Sequence, residues 1–284
     1  MVGLEDTVIV TERQLASLYL TEDPERYYSI LKEMGLLPLT VKTLTTERGK
    51  ALLHLATWAY LSGAFKNRKK RKFTPRISGN KEFLDYLLET YLNNLDQRFR
   101  YSKRNEKSGE LILAENGGAF GRLIHAMGVP IPEYVPNLED NSGRRLKKSA
   151  YDNTLPHYFL DIVRSSPKSD PLRKDLLYTL ASILLKDRLK IYTYGNVYKK
   201  QIYLQLNRHS TEETARNYAL SVLEFLNGVF RVGTNHQNLF QEENIAIRLD
   251  KHKKSYESRL YLTKFQLGHL VSRDPTILGV HVSY

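Results

Sequence analysis

Seven apolar residues, Phe83, Leu84, Leu87, Leu88, Tyr91, Leu92 and Leu95, recur at helical spacing, and their stripe predicts the clearest helix of the chain. A second helix is predicted before it, from Thr45 to Ser62, followed by a basic turn at Lys66 to Lys72 and a strand over Phe73 to Ser78. There is room for one more short strand before Lys66. After the striped helix come a strand (RFRYSK), a polar turn (NEKSG), a strand (ELILAE) and a helix (GRLIHAMG). The first 44 residues read as helical: a short helix over Thr11 to Leu20, then one capped by Thr21 or Asp23, with Pro24 in its first turn. Tyr27, Ile30, Leu31 and Met34 supply the apolar face of that second helix, and Gly35 its stop.

From Asp170 a similar order of elements returns. Asp170 caps a helix that opens with Pro171 and runs to Asp187, followed by strands LKIYTYG and QIYLQLNR. A helix from Thr211 to about Asn227 follows, and after a less regular stretch NIAIRLD and RLYLTK flank the basic turn KHKKSYES. FQLGHLVSRD closes as a helix. The recurrence indicates an internal duplication, longer in period than any solenoid repeat. The expected organisation is a helical module (1–44), a first half (45–128), a linker (129–169) containing Pro130, Pro132, Pro136 and EDNSGRRLKKS, and a second half (170–284).

Alternation along the strands separates two faces. In QIYLQLNR, Ile202, Leu204 and Leu206 point one way and Gln201, Tyr203, Gln205 and Asn207 the other. Arg98, Arg100 and Ser102 share one face of an earlier strand, and Thr74, Arg76 and Ser78 share one face of another. Amides, hydroxyls and guanidinia on such a face suit the hydrogen-bonding edges of bases in a major groove. An antiparallel sheet with one solvated face shows the same alternation.

Charge tips the picture toward polyanions. The chain carries 43 Lys and Arg against 31 Asp and Glu, a formal +12, and six of the seven residues from Lys66 to Lys72 are basic. With no cysteine, disulfides, thiolate metal sites and a Cys nucleophile are excluded. The eight His form no close ligand pair, and Gly117, Gly118 and Gly121 lack the spacing and parallel unit of a dinucleotide turn. Asn235, His236 and Asn238 fall short of an HNH-type nuclease. No signal peptide or 18-residue apolar span is present, so the expected location is cytoplasmic, beside the nucleoid in a prokaryote, with no membrane partner. The 19 Tyr and 10 Phe keep RNA open as a ligand, although residues such as Tyr91 and Phe83 fall at core positions.

Two helix ends add a family resemblance. LATWAYLSGAF (Leu55 to Phe65) and LASILLKDRLKI (Leu180 to Ile191) resemble degraded forms of the LAGLIDADG motif of homing endonucleases, each running from helix into strand. GAFGRLIHAMGVP followed by LPHYFLDIV resembles the stretch before the second motif of double-motif members. The resemblance implies an α+β fold of two pseudo-symmetric αββαββα LAGLIDADG-like halves with curved antiparallel sheets, beside the N-terminal helical module. It makes hairpin tips of Lys66, Arg68, Lys69, Lys70, Arg71 and Lys72, and of Lys251, Lys253 and Lys254, each set against phosphates. It lays Arg76, Arg98, Arg100, Lys190, Tyr192, Lys199, Lys200, Gln201, Tyr203, Gln205, Asn207 and Arg248 along duplex DNA.

The chemistry of that family is what the sequence lacks. Its nucleases hold divalent cations between two acids at the motif-helix ends, where this chain has Ser62 and Asp187. Ser62 is a poor Mg²⁺ ligand, and Arg188 beside Asp187 competes as a charge partner, leaving Asp187 as a weak metal candidate. The expectation is a duplex DNA-binding factor, transcriptional or chromosome-organising, with no cofactor and no cleavage. An active endonuclease using Mg²⁺ and an RNA maturase-like binder are the alternatives, and the N-terminal helices either read DNA or bind a protein.

Overall fold

A computed structural model describes residues 7–17, 24–61, 63–66, 74–96, 99–103, 109–113, 116–130, 134–139, 145–147, 154–194, 199–232, 237–250 and 255–273. The chain is α+β and divides into two units, one of Met1–Ile131 with Pro156–Leu180, the other of Pro132–Leu155 with Ala181–His281.

In chain order the first unit runs β1 (Val8–Val10), α1 (Glu12–Ser17), α2 (Pro24–Glu33), β2 (Leu39–Thr40), α3 (Val41–Thr45), α4 (Glu47–Leu61), β3 (Gly63–Lys66), β4 (Thr74–Gly79), α5 (Lys81–Thr90), β5 (Phe99–Lys103), β6 (Gly109–Leu113) and α6 (Gly117–Ala126). Next come β7 (Tyr134–Glu139) and β8 (Arg145–Lys147) of the second unit, and α7 (His157–Arg164) of the first. Helix α8 (Pro171–Arg188) starts in the first unit and ends in the second. The second unit continues with β9 (Leu189–Tyr194), β10 (Lys199–His209), α9 (Glu212–Val229), β11 (Arg231–Val232), β12 (Gln237–Asn238), β13 (Ile245–Asp250), β14 (Ser255–Tyr261) and α10 (Lys264–Arg273).

Each unit has a four-stranded antiparallel sheet. Their orders are β3-β4-β6-β5 and β9-β10-β14-β13, so counted within its own unit each sheet runs first, second, fourth, third. Short pairs β1-β2, β7-β8 and β11-β12 accompany them. The sequence reading left β1 and β2 unrecognised, because Val8–Val10 is a continuous apolar triplet with no period. The stretch expected as linker carries β7, β8 and α7. Tyr158, Phe159 and Ile162 form the buried side of α7, a three-residue stripe too short to stand out.

Helix α4 is apolar on every side, and all of Ala51 to Tyr60 are buried, as such a helix must be. Each buried leucine there contributes roughly 1.5–3 kcal/mol. Trp58 meets Phe83 of α5 edge-on at 4.6 Å, and His54 stacks on Tyr91 at 3.5 Å. The α5 stripe is buried through Leu84 and Leu87, and Asn80 caps the helix by accepting from the Phe83 N–H at 2.8 Å. Asp170 caps α8 as expected, accepting from the N–H groups of Leu172 (2.7 Å) and Arg173 (3.2 Å).

Two glycines are required by backbone geometry. Gly35 stops α2 with φ +69°, and the Leu36 N–H then donates back to the Leu31 carbonyl at 2.9 Å. At Gly49 in α4 a Cβ would lie 2.0 Å from the Thr43 carbonyl oxygen, so only glycine lets α3 run that close.

In the second unit α9 covers the apolar side of its sheet with Ala215, Tyr218, Ala219, Val222, Phe225 and Leu226. Asn227 anchors the chain before β13: its amide donates to the Phe240 carbonyl and accepts from the Phe240 N–H, both at 2.9 Å. Gln266 of α10 donates to the Leu239 carbonyl at 2.6 Å.

Candidate nucleic-acid interface

The polar side of the second unit's sheet is organised around one carboxylate. Strand β14 alternates Glu257, Arg259 and Tyr261 on this side with Ser258 and Leu260 on the other. Glu257 is nearly buried; its Oε1 accepts from Arg259 Nε at 2.6 Å, and its Oε2 accepts from Gln205 Nε2 at 3.2 Å and Arg208 Nη2 at 3.5 Å. Arg208 also lies 3.6 Å from Asp250 Oδ2. A carboxylate removed from water needs such donors, and guanidinia supply them with opposite charge.

Two tyrosines underlie the arginines. The Arg259 guanidinium stands 4.6 Å from the Tyr203 ring centre and that of Arg248 stands 5.8 Å from Tyr261, while the two rings are 5.5 Å apart. Burial lowers the Arg259 pKa, while the bond to and charge of Glu257 and a hydrogen bond to Tyr261 raise it, the net direction being up, so it is a fixed cation.

The register departs from simple alternation at one point. Gln205 pairs with Arg259 and Arg208 with Glu257, so β10 advances three residues while β14 advances two. This bulge turns Arg208, in place of Asn207, toward Glu257. Asn207 is 8% exposed and falls within the bulge, where simple alternation no longer fixes its face. His209, beyond the bulge, is buried against Tyr218 of α9 at 5.0 Å.

The other expected contacts are distributed as follows. Gln201 is exposed, Tyr203 is buried beneath Arg259, Gln205 is half-buried on Glu257, and Arg248 is exposed. Lys190 pairs in register with Tyr203, Gln201 with Tyr192, Lys199 with Tyr194 and Lys200 with Thr193. Lys200 therefore alternates with the Gln201 and Lys199 positions rather than joining both; the side chains of Tyr192, Lys199 and Lys200 lie outside the described residues. In the first unit Arg76 donates to Glu110 at 2.8 Å, so its charge is matched on the sheet. Arg76 and Arg100 both pair in register with Ile112, as Ser78 and Ser102 do with Glu110, which puts the two predicted strand faces on one side of the sheet.

Lys66 ends β3 opposite Thr74, and Asp250 pairs with Ser255. The runs between those pairs, with Arg68, Lys69, Lys70, Arg71 and Lys72 in one and Lys251, Lys253 and Lys254 in the other, lie outside the described residues, as do Ser62, Arg98 and the side chains of Lys66 and Arg100. Strand β14 begins at Ser255, so half of KHKKSYES, read as turn, is strand.

Asp187 at the end of α8 is 2.8 Å from Arg188 Nε, and its side chain is only 7% exposed. Thr57 of α4 donates to the Leu53 carbonyl at 2.7 Å and meets the Tyr158 hydroxyl of α7 at 2.9 Å. Among the described residues no group of three or more His, Asp or Glu is placed to hold a metal ion. Of the two positions that the resemblance pairs, Ser62 lies outside the described residues, and the Asp187 carboxylate lies beside the Arg188 guanidinium.

Glu257, Arg259, Arg208 and Tyr261 share this face of the sheet without being candidates in the sequence analysis. Their signal is the alternation in SYESRLYL, whose every second residue is polar or aromatic and whose first half adjoins the basic turn. No protein-family model matches the chain, and no curated protein matches it. No described helix is long and apolar enough to cross a membrane.

Proposed function

We propose that this protein binds duplex DNA without cutting it, on a scaffold of two degenerate LAGLIDADG-like αββαββα halves. The observation that carries the reading is the sheet of the second unit, whose polar side arrays Gln201, Gln205, Arg208, Arg248 and Arg259 in fixed register. Shared strand order in both units, each sheet following a long helix, supports a duplication. The +12 charge and the basic runs at the β3-β4 and β13-β14 connections supply attraction to phosphates. Regulation of transcription or organisation of the chromosome is the role this chemistry suits.

Duplex is favoured over single-stranded RNA by the state of Tyr203 on the sheet's polar side. Base stacking needs an open ring face, whereas Tyr203 is 3% exposed and covered by Arg259. Cleavage is disfavoured by the Asp187–Arg188 pair. The test is equilibrium binding to duplex DNA from 50 to 200 mM salt, with single-stranded DNA and structured RNA as competitors. Affinity for duplex should fall with a log-log slope of about −0.9 per phosphate contact. Preference for either competitor, or a flat salt response, would overturn the reading.

A further inference from the structure

Arg259 is prepared for one kind of contact. It lies on β14, an interior strand of the sheet, between Glu257 and Tyr261 on the polar side. Its Nε donates to Glu257, its guanidinium carbon stands 4.6 Å from the Tyr203 ring centre, and Tyr261 is a further hydrogen-bond partner. Its side chain is still 20% exposed. A guanidinium held by a carboxylate and an aromatic face has already lost its rotamer freedom, so little more is lost when it binds. Its neighbour Glu257 cancels much of the long-range attraction a phosphate would feel. A planar guanidinium held in place by Glu257, Tyr203 and Tyr261 and still partly open to solvent is the kind of donor that matches the paired O6 and N7 acceptors of guanine in a major groove.

Resting on the duplex-binding reading above, we propose that Arg259 is a guanine-reading residue and that Glu257 is its positioning residue. Glu257 also holds Gln205 and Arg208, so its loss should blur selection at more than one base pair, whereas loss of Arg259 should blur one.

The experiment is selection from a randomised duplex pool with the full chain, then measured affinity for the enriched site. Wild type should enrich a site containing a guanine whose replacement by 7-deazaguanine, which lacks only the N7 acceptor, weakens binding about tenfold. Arg259→Lys keeps the charge without the fork; it should lose selection at that position and show no further loss with 7-deazaguanine. Glu257→Gln should relax the same position and its neighbours. An Arg259→Lys variant that selects the same guanine as wild type would overturn the inference while leaving duplex binding standing. A uniform loss for all sequences would assign Arg259 to phosphate and overturn it equally. Were the variants to unfold, the 7-deazaguanine series on wild type alone decides, indifference at every guanine refuting the proposal. If wild type retains no duplex at all, the underlying reading fails first.

Discussion

Replacing Arg173 by methionine tests how the end of α7 is held against the start of α8. Arg173 is 4% exposed in the first turn of α8, and its guanidinium closes the end of α7. Nε donates to the Ile162 carbonyl at 3.0 Å and the Ser165 hydroxyl at 3.2 Å, Nη1 to the Lys168 carbonyl at 3.4 Å, and Nη2 to the Val163 carbonyl. The last carbonyls of a helix have no partner within it, and a cation there also meets the negative end of its dipole. Methionine keeps the stem and removes every donor. The Ile162 carbonyl retains one partner, since the Ser165 hydroxyl donates to it at 2.7 Å, and the Lys168 and Val163 bonds are only partly buried. At about 1–3 kcal/mol for a stranded buried acceptor, tempered by that rescue, and about 0.5–1 kcal/mol for the dipole, the loss should be about 3 kcal/mol. Urea unfolding followed by Trp58, the sole tryptophan and part of α4 in the same unit, measures it. Arg173→Lys should recover a minority of the loss, because one ammonium cannot span four acceptors. A methionine variant within 1 kcal/mol of wild type would refute the reasoning.

Three further outcomes follow from particular residues. His157 Nδ1 faces Asp161 at 2.6 Å and Nε2 faces the Ala126 carbonyl at 2.7 Å, two acceptors that only the imidazolium satisfies together; the Asp161 bond raises its pKa above 6.5. Its contribution is therefore complete below pH 6.5 and is lost as pH rises through the raised value. With 41% of the side chain exposed the effect should stay under about 1 kcal/mol, and His157→Gln should flatten that part of the stability–pH curve in denaturant titrations. Gly49→Ala should destabilise the first unit by about 1–3 kcal/mol or abolish folding, because the clash is with backbone that cannot step aside; an unchanged Tm would contradict the α3–α4 approach. Changing Lys69, Lys70 and Arg71 together to alanine should weaken duplex binding equally for all sequences and reduce the salt slope, whereas Gln205→Ala should relax preference at particular base pairs.

Helices and hairpins were legible in the sequence because their signals are local. Asp170 with Pro171 marks the start of α8, Gly35 the end of α2, and the Phe83-to-Leu95 stripe the α5 region. The polar face of QIYLQLNR was legible as far as Gln205. Beyond it, a bulge between two strands about 50 residues apart in sequence reassigns the faces, and no property of β10 alone encodes that shift. Glu257 was illegible as an organising group for a similar reason: a glutamate in a basic stretch reads as solvated until Arg259, Arg208 and Gln205 are brought around it from two strands. The helix α7 was obscured by the polar, proline-rich run before it, although its buried Tyr158, Phe159 and Ile162 fall on one helical face.

Duplex binding without cleavage is tested most directly by incubating the purified full chain with fragmented genomic DNA and Mg²⁺, then sequencing the retained fragments and mapping their ends. The account predicts intact fragments sharing a motif. Ends clustered at that motif, abolished by Asp187→Asn, would assign a nuclease and contradict binding without cleavage. Retention of no DNA, or of DNA without any shared motif, would contradict sequence reading by the sheet.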